Sequence, residues 1–213
     1  MDLATMMTIS FSAIFVSNFV LARFLGLCPF IGVTKKMENA LGMGAAVTFV
    51  MFLASFVTYL LYGLILKEGA LWVEADMELV LRTPMYILVI ATLVQLVEMF
   101  LRSRMPSLYD ALGIYLPLIT TNCAIMGVAL LNTTDAPVEI RSVAEAGFFQ
   151  GLIASSWHGI SAGIGFTLAM ILMSGIRERL DTADVPAPLK GMPIAFICAG
   201  LMSLAFFGFT GML

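Results

Sequence analysis

Apolar residues along this chain fall into long blocks, and the polar and charged positions collect in the short stretches between them. The blocks run near residues 3–33, 40–66, 84–101, 111–131, 147–175 and 191–212, and several carry no charge. About 20 apolar residues in a helix cross a hydrocarbon core about 30 Å thick, so the pattern predicts an all-α integral membrane protein with six transmembrane helices. Barrel strands would alternate polar and apolar positions over about 10 residues, and that alternation is absent. The first block lacks the short basic start and small-residue cleavage site of a signal peptide, and reads as a retained helix.

That first block would reach about 46 Å as one straight helix, too long for a simple span, so it is expected to break. Gly26 and Pro29, on either side of Cys28, supply the reason: glycine tolerates unusual dihedrals and proline removes a backbone donor. A related segment lies in the fourth block. "FLGLCPFIGV" (24–33) and "LITTNCAIMGV" (118–128) share Cys-x-x-x-Gly-Val, and a shift of 95 residues lays Cys28, Gly32 and Val33 on Cys123, Gly127 and Val128. "ATLVQL" (91–96) and "AGLMSL" (199–204) echo each other in the third and sixth blocks. The chain therefore reads as a single membrane domain, 1–213, built from two repeats of about 1–104 and 105–213. Three spans is an odd number, so the halves enter the membrane from opposite sides and form an inverted repeat. Pro117 and the run Thr120, Thr121, Asn122 are expected to break the fourth helix near the membrane middle, as in the first. Asn18 and Asn122 stand where they can satisfy the freed backbone groups.

Composition narrows the functional classes. With 61% hydrophobic and 12% charged residues the chain lies outside the soluble globular range, and a net charge of −3 without a basic run excludes nucleic acid as a partner. Eight of the eleven Lys and Arg residues (Arg23, Lys35, Lys36, Arg102, Arg104, Arg177, Arg179, Lys190) fall in loops one, three and five. Lys67, Arg82 and Arg141 lie on the other side, with acids that include Glu68, Glu74, Asp76, Glu78, Asp135 and Glu139. Positive charge is retained on the cytoplasmic side, so both termini are expected outside. "LGMGAAV" lacks the strand context and third glycine of a dinucleotide fingerprint, and the loops leave no room for a catalytic domain, so no independent active site is expected.

Of the three cysteines, Cys198 in "AFICAGLM" reads as apolar packing. For Cys28 and Cys123 the residues leave three readings open: packing, a disulfide, or thiolate ligation of a metal. A four-thiolate centre would require the other two ligands from a second membrane protein of the same architecture. Glu98 is the one acid inside a predicted span, with Gln95 on the same helical face, and is either an ion-path carboxylate or an interfacial partner of Arg102. His158, the only histidine, is expected to be a satisfied packing residue, and Gly159-x-x-x-Gly163 a close-packing face.

"NFVLARFLGLCPFIGVTKK", "ALGIYLPLITTNCAIMGVALLN" and "SGIRERLDTADVPAPLKGMPIAFICAGLMSLAFFGF" resemble a family of membrane subunits found in two kinds of complex. These are the Rnf complexes, ion-translocating ferredoxin:NAD oxidoreductases, and the sodium-pumping NADH:quinone reductases. Within the family, "NFVLARFLGLCPF" sides with the A subunits of Rnf rather than the E subunits of the quinone reductases. The resemblance implies a component of the bacterial cytoplasmic membrane that works beside the other Rnf subunits (B, C, D and G). It also implies that Cys28 and Cys123 provide half of the ligands of an intramembrane 2Fe-2S cluster. The homologous Rnf E subunit, of opposite orientation, would supply the other half, and Glu98 would belong to the path of the translocated Na+ or H+. Adding an electron to a buried centre raises negative charge in a low dielectric, which gives a cation reason to approach. Reduction that left the complex's cation affinity unchanged would refute this coupling. Inverted three-span repeats are also transporter anatomy, so a transporter or a structural scaffold stands as the alternative, and both predict dispensable cysteines.

Overall fold

A computed structural model of the chain describes residues 3–66, 75–104, 116–133 and 147–209, and every regular element among them is helical. Of the expected features, Lys67, Glu68, Glu74, Asp135, Glu139, Arg141 and the outer parts of the fourth and sixth blocks (111–115 and 210–212) lie outside the described residues. Three helical stretches among those described are long and apolar enough to cross a membrane: Met37–Leu64, Arg82–Phe100 and Phe148–Asp181. Leu3–Val16, Pro117–Leu131 and Met192–Phe207 are shorter apolar helices. Large side chains such as Leu88, Phe149, Leu204 and Phe207 are exposed on the outside, as expected where lipid is the solvent.

In chain order the helices are α1 (Leu3–Phe11), α2 (Leu27–Val33), α3 (Met37–Leu61), α4 (Ala75–Arg104), α5 (Leu116–Thr120), α6 (Cys123–Leu131), α7 (Phe148–Asp181) and α8 (Met192–Phe207). Wider π turns extend α1 over Ser12–Val16 and α3 over Tyr62–Leu66. The antiparallel pair α3 and α7 forms the centre, and its closeness follows from small residues in register. A Cβ on Gly163 would lie 2.6 Å from Thr48 Cα, and one on Gly159 would lie 2.5 Å from Ser55 Oγ. Thr48 and Thr167 add a hydroxyl contact of 3.2 Å across the seam. The Gly159-x-x-x-Gly163 face expected from the sequence is thus spent on a helix of the same chain.

The first block is broken, but not at its proline. The helix ends at Val16, the chain runs irregularly through residues 17–26, and Pro29 sits buried in the first turn of α2. A first-turn proline costs little, because the backbone donor it removes has no intrahelical partner there. Asn18 makes the break tolerable. Fully buried, it accepts from Val20 N and Leu21 N at 3.0 and 3.2 Å and donates to Ile14 O and Gly165 O at 2.9 and 2.8 Å. One carboxamide thus does for the unwound segment what water would do outside a membrane, and it also ties that segment to α7. Ser203 Oγ on α8 donates to Leu21 O at 2.5 Å and fixes the far side. Asn18→Leu keeps the volume but strands two backbone donors and removes the bonds to two carbonyls. It is expected to destabilise the protein by about 2–3 kcal/mol. Denaturant titration in detergent micelles measures this, and a loss under about 0.5 kcal/mol would show that the unwound segment does not depend on Asn18.

α4 also differs from its predicted range. It begins at Ala75 and runs through Pro84, so Arg82 lies within a helix rather than in an outer loop. Arg82 is 7% exposed, with its guanidinium 5.5 Å from the centre of the Tyr62 ring, an aromatic contact that offsets removal from water.

Candidate functional site

Cys28 and Cys123 both stand in the first turn of a short helix that follows a break, and both are exposed on the surface of the chain. In the first turn of a helix the leading backbone N–H groups have no intrahelical partner and need caps. The two breaks are built differently. Before Cys28, Gly26 adopts the left-handed conformation, φ 79°, and Phe24 does so too, φ 55°, with its ring half exposed. A left-handed phenylalanine costs about 1–2 kcal/mol, strain of the kind that collects at working sites. Before Cys123, Thr121 and Asn122 interrupt the helix, and Asn122 Oδ1 caps α6 by accepting from Ala124 N at 3.0 Å.

The two cysteine-bearing segments interlock at these breaks. A Cβ on Gly26 would lie 2.8 Å from Asn122 Oδ1, 2.8 Å from Phe166 Cε2 and 3.2 Å from Ala124 Cβ. Gly26, two residues before Cys28, therefore lies against the residue that precedes Cys123. Reciprocally, a Cβ on Gly127 would lie 2.7 Å from Leu25 Cδ1. The far end of α2 is held by Arg177, whose Nη1 donates to Ile31 O at 2.5 Å and to Thr34 Oγ1 at 3.1 Å. A cation at a helix C-terminus satisfies its last carbonyls and its dipole together. The segment carrying Cys28 is thus clamped at both ends. The two glycines of the repeated motif do different work: Gly127 packs, whereas a Cβ on Gly32 would meet nothing within 4 Å.

The remaining candidates separate from this pair. Among the described residues no three His, Cys, Asp or Glu side chains gather as a metal site, so Glu98, half-buried on α4, does not join the cysteines in one cluster. Cys198 is a partly buried packing residue against the core. His158 is buried and held: Asn132 Nδ2 donates to Ser55 Oγ at 3.2 Å, which leaves Asn132 Oδ1 as acceptor for His158 Nδ1–H at 2.7 Å. The cavity beside it, about 10 Å³, has room for about one water. Sequence reasoning missed Arg177 and Phe24. Arg177 reads as one of several loop cations, and nothing local marks Phe24 as left-handed.

Over residues 6–213 the chain matches the family described as "Rnf-Nqr subunit, membrane protein". It belongs to the Rnf-Nqr family. The chain is 52% identical over 208 residues to the A subunit of the Na(+)-translocating ferredoxin:NAD(+) oxidoreductase complex of Acetobacterium woodii, covering 98% of each chain. It is 51% identical over 199 residues to the A subunit of the ion-translocating oxidoreductase complex of Vibrio cholerae and 50% identical over 200 residues to that of Citrobacter koseri, covering 93% of each chain in both comparisons. These Rnf-Nqr relatives are subunits of oxidoreductase complexes, and the match extends across both cysteine-bearing segments.

Proposed function

We propose that this Rnf-Nqr chain is the A subunit of an ion-translocating ferredoxin:NAD oxidoreductase of the bacterial cytoplasmic membrane. In this reading it crosses the membrane six times as two inverted halves, with both termini outside, and the three shorter apolar helices and their unwound neighbours complete the passes. Cys28 and Cys123 would hold half of a 2Fe-2S cluster. The observation that carries the reading is the interlock of the two cysteine-bearing breaks, which brings one thiol-bearing helix start from each half to adjoining positions and leaves both exposed. The donor set fits: two soft thiols without a third ligand beside them, among the described residues, are half of what such a cluster requires. A homologous protein of opposite orientation would bring the other two.

When bound, the cluster would supply a one-electron carrier where hydrocarbon offers none. The chain's own residues do the rest. Asn18 and Asn122 permit non-helical backbone inside the membrane, Gly26 lets the halves meet, and Arg177 holds the first thiol's helix in place. Glu98 remains the candidate for cation passage, with Na+ or H+ as the cation; the Acetobacterium woodii relative is named for Na+. Purifying this chain together with its opposite-topology partner and measuring iron and acid-labile sulfide tests the reading. About two of each per pair are expected. A pair that assembles with neither would overturn it.

A further inference from the structure

Asn122 uses only half of its side chain within the chain. Its oxygen is committed to capping α6, which fixes the orientation of the carboxamide because the Ala124 N–H donates and only the oxygen can accept. Its Nδ2 is buried and has no hydrogen-bond partner, in a residue only 4% exposed. A buried amide donor left unsatisfied costs about 1–3 kcal/mol, and such groups are rare enough to require an explanation. The carboxamide directly precedes Cys123, and Gly26 of the Cys28 segment lies against it. The carboxamide oxygen thus faces the Cys28 segment, and the same side chain, on the residue next to Cys123, carries a donor without a partner.

We propose that Asn122 Nδ2 donates a hydrogen bond to sulfur of the centre held by Cys28 and Cys123, and that Asn122 is a positioning residue that sets the potential of that centre. The inference rests on the thiolate reading above. Its physics is simple: a donor to sulfur stabilises the more negative, reduced form more than the oxidised form, so the potential rises. The same bond would give the orphaned amide its missing partner when the centre is in place.

The test keeps the cap and removes the donor. Asn122→Ser retains an N-cap oxygen and deletes Nδ2 without adding charge. In the purified complex with iron retained, the reduction equilibrium of the 2Fe-2S centre is expected to shift about tenfold towards the oxidised form, which is about 59 mV for one electron. Spin-monitored redox titration reads this directly. An unchanged potential with iron retained would overturn the role of Asn122 and leave the cysteine ligands standing. Loss of iron from Cys28→Ser but not from Asn122→Ser separates the two claims from the other side. Wild-type complex labelled with nitrogen-15 at asparagine side chains gives a second readout that needs no variant. A hyperfine coupling from an amide nitrogen to the reduced centre is expected, and its absence would also overturn the proposal.

Discussion

Cys28→Ser or Cys123→Ser, introduced singly, is expected to remove the whole iron centre rather than half of it. Serine is nearly isosteric, so folding of α2 and α6 survives, but a hydroxyl is a hard, neutral oxygen where iron–sulfur chemistry requires a soft thiolate. Both cysteines are exposed, so neither substitution opens a buried cavity, and a serine hydroxyl can still donate towards Thr121 O, the partner of Cys123. Iron in the purified complex is expected to fall to background together with the spectrum of the reduced sample. Electron transfer from ferredoxin to NAD is expected to fall by more than the roughly 10- to 100-fold that loss of an outer-shell partner costs. Cys198→Ser, on a packing cysteine, is expected to leave both unchanged. A full spectrum and full turnover in either of the first two variants would transfer the protein to the transporter or scaffold class.

Gly26→Ala is expected to produce almost the same loss with both cysteines still in place. The added methyl meets two obstacles. The backbone there is left-handed, which costs a residue with a Cβ about 1–2 kcal/mol, and the Cβ itself would stand 2.8 Å from both Asn122 Oδ1 and Phe166 Cε2. Relief of such a clash in a packed site costs about a further 1–3 kcal/mol, so destabilisation of about 2–5 kcal/mol is expected. The direction of relief matters more than the sum, because pushing Gly26 away from Asn122 separates the two cysteine-bearing segments. Gly175→Ala on α7, where a Cβ would meet nothing within 4 Å, serves as the control and is expected to be neutral or mildly stabilising. Iron content and denaturant titration of the same samples distinguish the two effects. Full iron loading in Gly26→Ala would show that the interlock does not position the thiols.

How far the sequence carries depends on whether the signal is local. The break before Cys123 is legible because three consecutive polar residues, Thr120, Thr121 and Asn122, interrupt an apolar run. The break before Cys28 is legible in existence but not in position. Proline marks helix interruption only by type, and Pro29 falls in a first turn where it is harmless, while Asn18, which the sequence does mark as able to satisfy freed backbone groups, also bonds Gly165, a contact that no local pattern reveals. The start of α4 is missed for a similar reason. Arg82 looks like a loop residue until the Tyr62 ring supplies a partner. The repeated motif leads one to expect the two cysteines to correspond, yet the mechanical basis, Gly26 against Asn122, joins positions 96 residues apart and becomes visible only in three dimensions.

That interlock bears on how the chain can change over time. Gly26 is seated on Asn122 and Ala124, and Gly127 on Leu25, so each cysteine-bearing segment shapes the other. Neither cysteine-bearing segment can therefore be exchanged for the matching stretch of a distant relative without its counterpart. Grafted hybrids would have to carry both faces of the joint together, and neutral drift at one face would have to wait for a compensating step at the other.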